Sequence, residues 1–307
     1  DLFVGTDKHY TNGVSISLLS PDLTDYRDSP ALPEWAHQVI DHLPFINEPC
    51  LQRNIEFSLA QKIFTPENIR ARNLIRDDRP YAGWLYLGAA FHNKNPRRLD
   101  TMALQIGMVG PAALGEAAQN NIHEIRDIDR AKGWDNQLEN ELGLVAYYER
   151  KWRAAERYGR DRRFGADLIP HVGGALGNVA TYLSAGTEAR VGWNLPADFG
   201  TTLIRPGGDS SAPADNSDPR IGAQWGFYLF SGVTGRLVGR DIFLDGNTFE
   251  DSHSVDRKLL VGDAFAGVSA LYGGFKMSYA HVWRSKEFDG QDDASSFGSV
   301  TLSYSFR

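Results

Sequence analysis

"YTNGVSISLLS", residues 10–20, alternates: Val14, Ile16 and Leu18 share one face, and Ser15, Ser17 and Leu19 the other. A period of two is the pattern of a β-strand whose two faces meet different surroundings. The pattern recurs at 54–64, 81–92, 101–110, 141–152, 165–177, 180–193, 223–235, 258–272, 275–285 and 296–306. Strands of globular proteins are usually about 5–6 residues long. These segments are about twice that, which suits tilted strands crossing a bilayer, where ~9–11 residues lie in the apolar zone.

Three further features separate a membrane barrel from a soluble one. Gly and other small residues crowd one parity of these segments, and Leu, Val, Phe, Tyr and Trp the other. Aromatic residues gather near segment ends, at Trp84, Tyr86, Tyr147, Tyr148, Trp152, Trp193, Trp225 and Trp283, as the girdles of a membrane barrel require. The last segment closes on an aromatic, "LSYSF", one residue before the final Arg307. The expected fold is all-β: a 12-stranded antiparallel transmembrane β-barrel with a short extracellular-loop helix, one domain over residues 1–307. A soluble β-sandwich or lipocalin-like barrel is the alternative.

Single-chain bacterial outer-membrane barrels have an even strand number, so 11 visible segments imply a twelfth. Its expected place is immediately before Asp1, because "DLFVGTDKHY" reads as a loop leaving a strand. The start lacks a methionine and a signal core, and a mature or trimmed chain is expected. With this parity, residues 1–9, 65–79, 111–137, 177–179, 236–257 and 286–295 fall on the outer side. Residues 21–52, 93–99, 153–162, 194–220 and 273–274 fall on the periplasmic side. Residues 32–43, "LPEWAHQVIDHL", read as a short amphipathic helix inside the 21–52 insertion, and 205–220 as a Gly/Pro/Ser/Asp linker with no reason to be ordered.

Composition narrows the rest. Hydrophobic residues make up 42%, close to a soluble protein, so bulk composition alone conceals a membrane barrel. A formal net charge of −7 argues against nucleic acid as a partner. Cys50 is the only cysteine, which excludes an internal disulfide framework and a Cys-based zinc cluster. No stretch approaches 18 apolar residues, so no transmembrane helix is expected.

The suggestive polar chemistry falls on the outer side, in "TDKHYTNG" (6–13), "TPENIRARNLIRDDRPYAG" (65–83) and "GPAALGEAAQNNIHEIRDIDRAKGWDNQ" (110–137). Loops converging at one end of a scaffold are where function is placed. Within the third, Gln119 and His123 stand four apart and share a helix face.

"DLFVGTDKHYTNG", "DRPYAGWLYLG", "VGPAALGEAAQNNIH" and "KGWDNQLENE" together resemble the outer-membrane lipid A 3′-O-deacylases, the LpxR-type family. The matching motifs lie within residues 1–141, in the family's order and spacing. The resemblance implies a 12-stranded barrel whose active site lies between the outer barrel wall and a helix from an extracellular loop. It implies calcium-dependent removal of the 3′-linked acyloxyacyl chain of lipid A by a phospholipase A2-like mechanism. The family's catalytic histidine falls on His123, its helix glutamine on Gln119, the following acidic residue on Asp129 and the strand-two hydroxyl on Thr11. Of the Asn-Asp pair ending strand one, only Asp1 is represented. The family's loop lysine has no clean counterpart, and Arg70 or Arg72 is the substitute.

The chemistry suits these residues. A histidine can take a proton from water and return it to a leaving alkoxide. Asp129 is expected to fix the imidazole tautomer, and Gln119 to position the water or a metal ligand. Calcium takes hard oxygen ligands, which Asp1, Thr11 and Gln119 offer; no Cys or paired His supports zinc. Lys8, Arg70, Arg72, Arg76 and Arg79 are placed to grip the phosphates of lipid A, with its acyl chains along the apolar wall. The expected partners are lipopolysaccharide and outer-membrane lipids, and the expected state is a monomer. No GxSxG elbow is present. The competing readings are a phospholipase A1-type enzyme, for which only Ser252 and His253 lie close in a loop, and a small porin with a polar open lumen.

Overall fold

The computed structural model describes residues 9–30, 32–44, 48, 51–125, 127, 129–158, 163–201, 213, 218–220 and 224–305. An antiparallel sheet holds 11 strands in continuous order: β1 (His9–Leu19), β2 (Gln52–Thr65), β3 (Ala82–Asn95), β4 (Arg98–Val109), β5 (Glu141–Trp152), β7 (Phe164–Gly177), β8 (Ala180–Trp193), β9 (Gly226–Asp241), β10 (Leu260–Tyr272), β11 (Phe275–Arg284) and β12 (Ser295–Tyr304). A further short strand, β6 (Ala154–Tyr158), follows β5 and pairs with the same neighbour, β7. Among the described residues three α-helices lie outside the sheet: α1 (Glu34–Ile40), α2 (Gly115–Ile125) and α3 (Ile242–Asp245). The sheet curls until its edges approach, where the Tyr10 and Phe297 rings stand 4.9 Å apart. The expected twelfth wall strand lies outside the described residues.

All 11 segments read from the alternation are strands. Two neighbouring expectations change. The 153–162 turn begins as strand, because β6 carries on beside β7. The end of the 205–220 linker is buried, since Asp218 and Arg220 sit inside the barrel wall.

Parity assigns each wall residue a side. On β2, Phe57 and Leu59 face outward while Ala60, Lys62 and Phe64 face the lumen. On β3, Leu87 is outward and 61% exposed, while Trp84 and Tyr86 are buried inside. Trp84, Tyr86 and Tyr147 are therefore lumen residues and not girdle residues. At the α1 end the expected girdle residues Trp193 and Trp225 are exposed at strand ends together with Tyr272, Phe275 and Tyr304, with Trp225 stacked on Tyr272 at 4.2 Å.

Aromatic side chains and ion pairs fill the lumen. Phe64, Trp84, Tyr86, Tyr147 and Tyr182 join Phe243 of α3 in one cluster. At the α1 end, the segment after β8 folds inward and brings Asp198 to three cations. Arg190 pairs with Asp198 at 2.5 Å, Lys276 at 2.7 Å and Arg220 at 3.2 Å. Burial pushes the Asp198 carboxyl up, but Lys276, Arg190 and Arg220 overcome this and hold it well below the usual carboxylate range.

The α2 end is held by interlocked loops. Lys132 N–H donates to Ile69 O at 2.9 Å, and Asn247 Nδ2 to Glu139 O at 3.0 Å. His253 Nε2 meets Asp78 O at 2.7 Å. That contact ties down the histidine of the Ser252–His253 pair.

Asp198→Asn removes the one carboxylate shared by the three buried cations: Arg190 keeps Asp167 and Arg220 keeps Asp218, but Lys276 loses the carboxylate it pairs with. The barrel is expected to lose about 3–5 kcal/mol, read as a lower urea midpoint of the folded protein in detergent micelles. Because the carboxyl is depressed in the folded state, its stabilisation is present at neutral pH and disappears as pH falls through that depressed value. An unchanged midpoint would show that the network contributes nothing.

Candidate active site

The helix α2 lies on the outside of the barrel wall. Ile63 has the outward parity of Phe57 and Leu59, yet it is buried in a cluster with Tyr81, Ala131 and Trp134. Ile63 pairs with Gly83 across the β2–β3 ladder, and Gly83 faces the helix start. A Cβ on Gly83 would stand 3.0 Å from Ala113 Cβ and 3.2 Å from Gly115 N; one on Gly115 would stand 2.7 Å from the Trp134 ring. Two facing glycines thus let backbone approach backbone. Gln61, also of outward parity, donates from Nε2 to Ala113 O at 2.6 Å and ties the segment to the wall.

The helix forms because Glu116, Ala117 and Ala118 open it with strong helix formers and Glu116 places a negative charge in the first turn. Beyond its last turn, Asp127 takes a left-handed conformation at φ +54°, a common way for a helix to stop. Its buried residues are Gly115, Gln119 and His123, a stripe at i, i+4 and i+8. Ile125, by contrast, is 85% exposed. A surface helix normally buries its apolar face; this one buries its polar side chains. Such local contradictions concentrate at functional sites.

His123 is 2% exposed and Gln119 1%. The Nδ1 of His123 lies 2.6 Å from the backbone oxygen of Asp129. A carbonyl can only accept, so Nδ1 carries the proton and Nε2 is the basic nitrogen. The Asp129 carboxylate, the group expected to fix the tautomer, does not reach the ring: it points out to Arg70 at 3.1 Å, both side chains are exposed, and the contact to the imidazole comes from the Asp129 backbone oxygen.

Trp134 Nε1 donates to Gln119 Oε1 at 2.8 Å. An indole N–H is a donor only, so the atom it meets must be the amide oxygen. The Gln119 amide nitrogen is buried and has no hydrogen-bond partner among the described residues. It is a donor held in position. Trp134 packs against Tyr81, ring centroids 4.9 Å apart, and Tyr81 OH donates to Ile69 O.

The remaining expected site residues divide. Arg70 and Arg72 are exposed beside the 129–137 segment, where Asn136 Nδ2 donates to Arg72 O at 2.8 Å. Arg79 is not on the rim: it is fully buried, pairs with Glu287 at 3.3 Å and lies over Phe64 inside the wall. It cannot grip an external phosphate. Thr11 falls at a register break between Tyr10 and Asn12, opposite Phe64 and Ile63 of β2. Asp1 and Lys8 lie outside the described residues.

Two residues received no role from sequence. Trp134 stands in "KGWDNQ", and a tryptophan inside a polar loop was the available signal. Gly83 stands in "PYAGW", and nothing local distinguishes it from the other wall glycines.

Among the described residues no group of three His, Cys, Asp or Glu side chains comes together to hold a metal. Calcium takes about 6–8 oxygens, and Gln119 Oε1 already accepts from Trp134. The described residues alone do not make a calcium cage.

No curated protein matches the chain. Among solved structures it is similar to LpxR from Salmonella typhimurium, with a TM-score of 0.75 at 20% identity, over 97% of this chain and 90% of that one. At this identity the likeness is one of fold. No described helix is long and apolar enough to cross a membrane, which says nothing against crossing by strands. The family model described as outer membrane protein LpxR matches residues 1–306, and the chain belongs to that family of outer-membrane proteins.

Proposed function

We propose that this protein is a lipid A 3′-O-deacylase, with the α2 end of the barrel outside and His123 as its general base. The observation that carries the reading is the polar stripe of α2, buried against the outward face of a membrane wall. Row by row, β2 passes from Ile63 under α2 to Leu59 and Phe57, which face lipid. A lipid whose acyl chains lie along the wall brings its ester bonds to the level of His123.

The reaction follows from the residue geometry. His123 Nε2 takes a proton from water, whose oxygen bonds to the ester carbonyl carbon. The Gln119 amide N–H donates to the oxyanion that forms. As the ester C–O bond breaks, the proton on Nε2 passes to the sugar 3′ oxygen, leaving an alcohol and a free acyloxyacyl acid. With the ring 2% exposed, substrate entry requires α2 or the 129–134 segment to part from the wall. Arg70 and Arg72 are the proposed phosphate contacts. Calcium remains part of the reading through Asp1 and Thr11, and no step above passes through it.

A porin is disfavoured by the aromatic and ionic filling of the lumen. The experiment that separates the readings is mass spectrometry of lipid A from cells expressing the chain. Loss of the 3′ acyloxyacyl group is expected with the native chain. His123→Ala and His123→Gln should both abolish it, by about 10²-fold or more, while the barrel still folds. Near-native release by His123→Ala would overturn the assignment.

Trp134→Phe keeps the ring against Tyr81 but removes the N–H that orients Gln119. A fall in kcat of about tenfold with little change in KM is expected. A change confined to KM would place Trp134 in substrate binding.

Chelation tests the calcium expectation directly. Acyl release should stop in excess EGTA, return with calcium and not return with magnesium, and Asp1→Ala should raise the calcium needed for half-maximal rate. Full activity in EGTA would remove calcium from the reading.

A further inference from the structure

The helix α1 also lies on the outside of the wall, at the opposite end from α2. Its cluster comprises Tyr26, Ala36, Ile40 and Ile55, with Leu23, Phe91 and Met102 packed against it. Ile55, Phe91 and Met102 are direct ladder partners in one row across β2, β3 and β4, and Tyr148 of β5 continues that row. They share the outward parity of Phe57, Leu87 and Leu104, which are exposed. The next row toward α2, running Leu18, Phe57, Ala89 and Leu104, is lipid-facing wall. The helix α1 therefore sits immediately below the apolar belt.

Spacing puts it at a membrane interface. Eight residues along β2 separate Ile55, under α1, from Ile63, under α2. At ~3.4 Å per residue and a tilt of ~40°, that is roughly 20 Å of height, against an apolar belt of roughly 25 Å. The two helices bracket the belt on this side of the barrel.

The exposed face of α1 is itself divided. Ala36 and Ile40 face the wall. Trp35 is 71% exposed and Val39 55%, one turn apart on one flank. Glu34 and Gln38 form a separate polar strip, also exposed. An amphipathic helix with Trp on its apolar flank, continuous with a lipid-facing wall, fits the boundary between headgroups and acyl chains.

We propose that α1 is an interfacial anchor that binds phospholipid at the end of the barrel opposite the candidate active site, with Trp35 and Val39 immersed and Glu34 and Gln38 at the headgroups. The anchor fixes the height and tilt of β2 and β3 in the bilayer, and these are the strands on which α2 rests. This proposal requires the outer-membrane wall and not the deacylase reading.

The test uses the full chain carrying Cys50→Ser, reconstituted into phosphatidylethanolamine–phosphatidylglycerol vesicles. Trp35→Cys, Val39→Cys, Glu34→Cys and Gln38→Cys are introduced singly and labelled with a nitroxide. The readout is the logarithm of the ratio of collisions with oxygen to collisions with a water-soluble nickel chelate. It should be positive at 35 and 39 and negative at 34 and 38. Negative values at all four positions would overturn the proposal, as would spin–spin broadening at 35 and 39, which would mean that a second copy covers the flank. A second measurement keeps the native cysteine: brominated phospholipids should quench the native chain more than Trp35→Phe, and equal quenching would also overturn it.

Discussion

A strand satisfies its backbone through its neighbours, but half of its side chains must leave the sheet on each face. In a membrane wall the outward half must meet either lipid or more protein, and the rest of the molecule follows from that constraint. Most outward positions on β1 to β5, such as Val14, Ile16, Leu59, Leu87 and Ile106, are apolar and exposed. Where outward residues are buried or half-buried, a segment outside the sheet covers them: α1 over Ile55, Phe91 and Met102, and α2 over Ile63. Both covering segments are insertions between strands, so their positions are properties of the wall and not of the loops alone.

The inward half meets a different demand. Charges taken out of water are costly unless they are paired and hydrogen-bonded. The lumen answers with carboxylate hubs, among them one near each end. Asp198 gathers Arg190, Lys276 and Arg220 near α1. Glu287 gathers Arg79 and Arg284 near α2; burial pushes its carboxyl up, but Arg284, Arg79 and Arg236 hold it below its ordinary value. The first ties the segment after β8 to β8 and β11, and the second ties the loop after β11 to β11 and to the loop between β2 and β3. The wall under the candidate site is thereby braced from inside, which gives a rigid support for chemistry placed outside it.

Against that wall, α2 buries polar side chains where a surface helix would bury apolar ones. Its buried stripe holds an imidazole whose tautomer is set by a backbone oxygen and an amide whose donor end is directed by an indole. Neither arrangement improves the apolar contact between helix and wall. Two facing glycines, Gly83 and Gly115, are what allow the helix to come close enough for that stripe to be sealed. The apolar residues at its two ends, Leu114 just before the helix and Ile125 in its last turn, are exposed instead.

The chain's period-two pattern determined the wall, because alternation is a local property: 11 segments read from residues alone are the 11 strands of the path. Helical spacing likewise placed Gln119 and His123 on one face, and the 32–43 reading contained α1. The side taken by a given residue was not local. Trp84, Tyr86 and Tyr147 read as girdle residues, yet ladder register turns them into the lumen. Arg79 read as a phosphate contact beside other arginines, yet a carboxylate 208 positions away in the chain draws it inside. The Asp129 backbone oxygen, the Trp134 indole and the Gly83 contact became visible only when the chain was closed on itself. Alternation tells which residues share a face; only the register of distant strands and the loops folded onto them decide whether that face meets lipid, lumen or a helix.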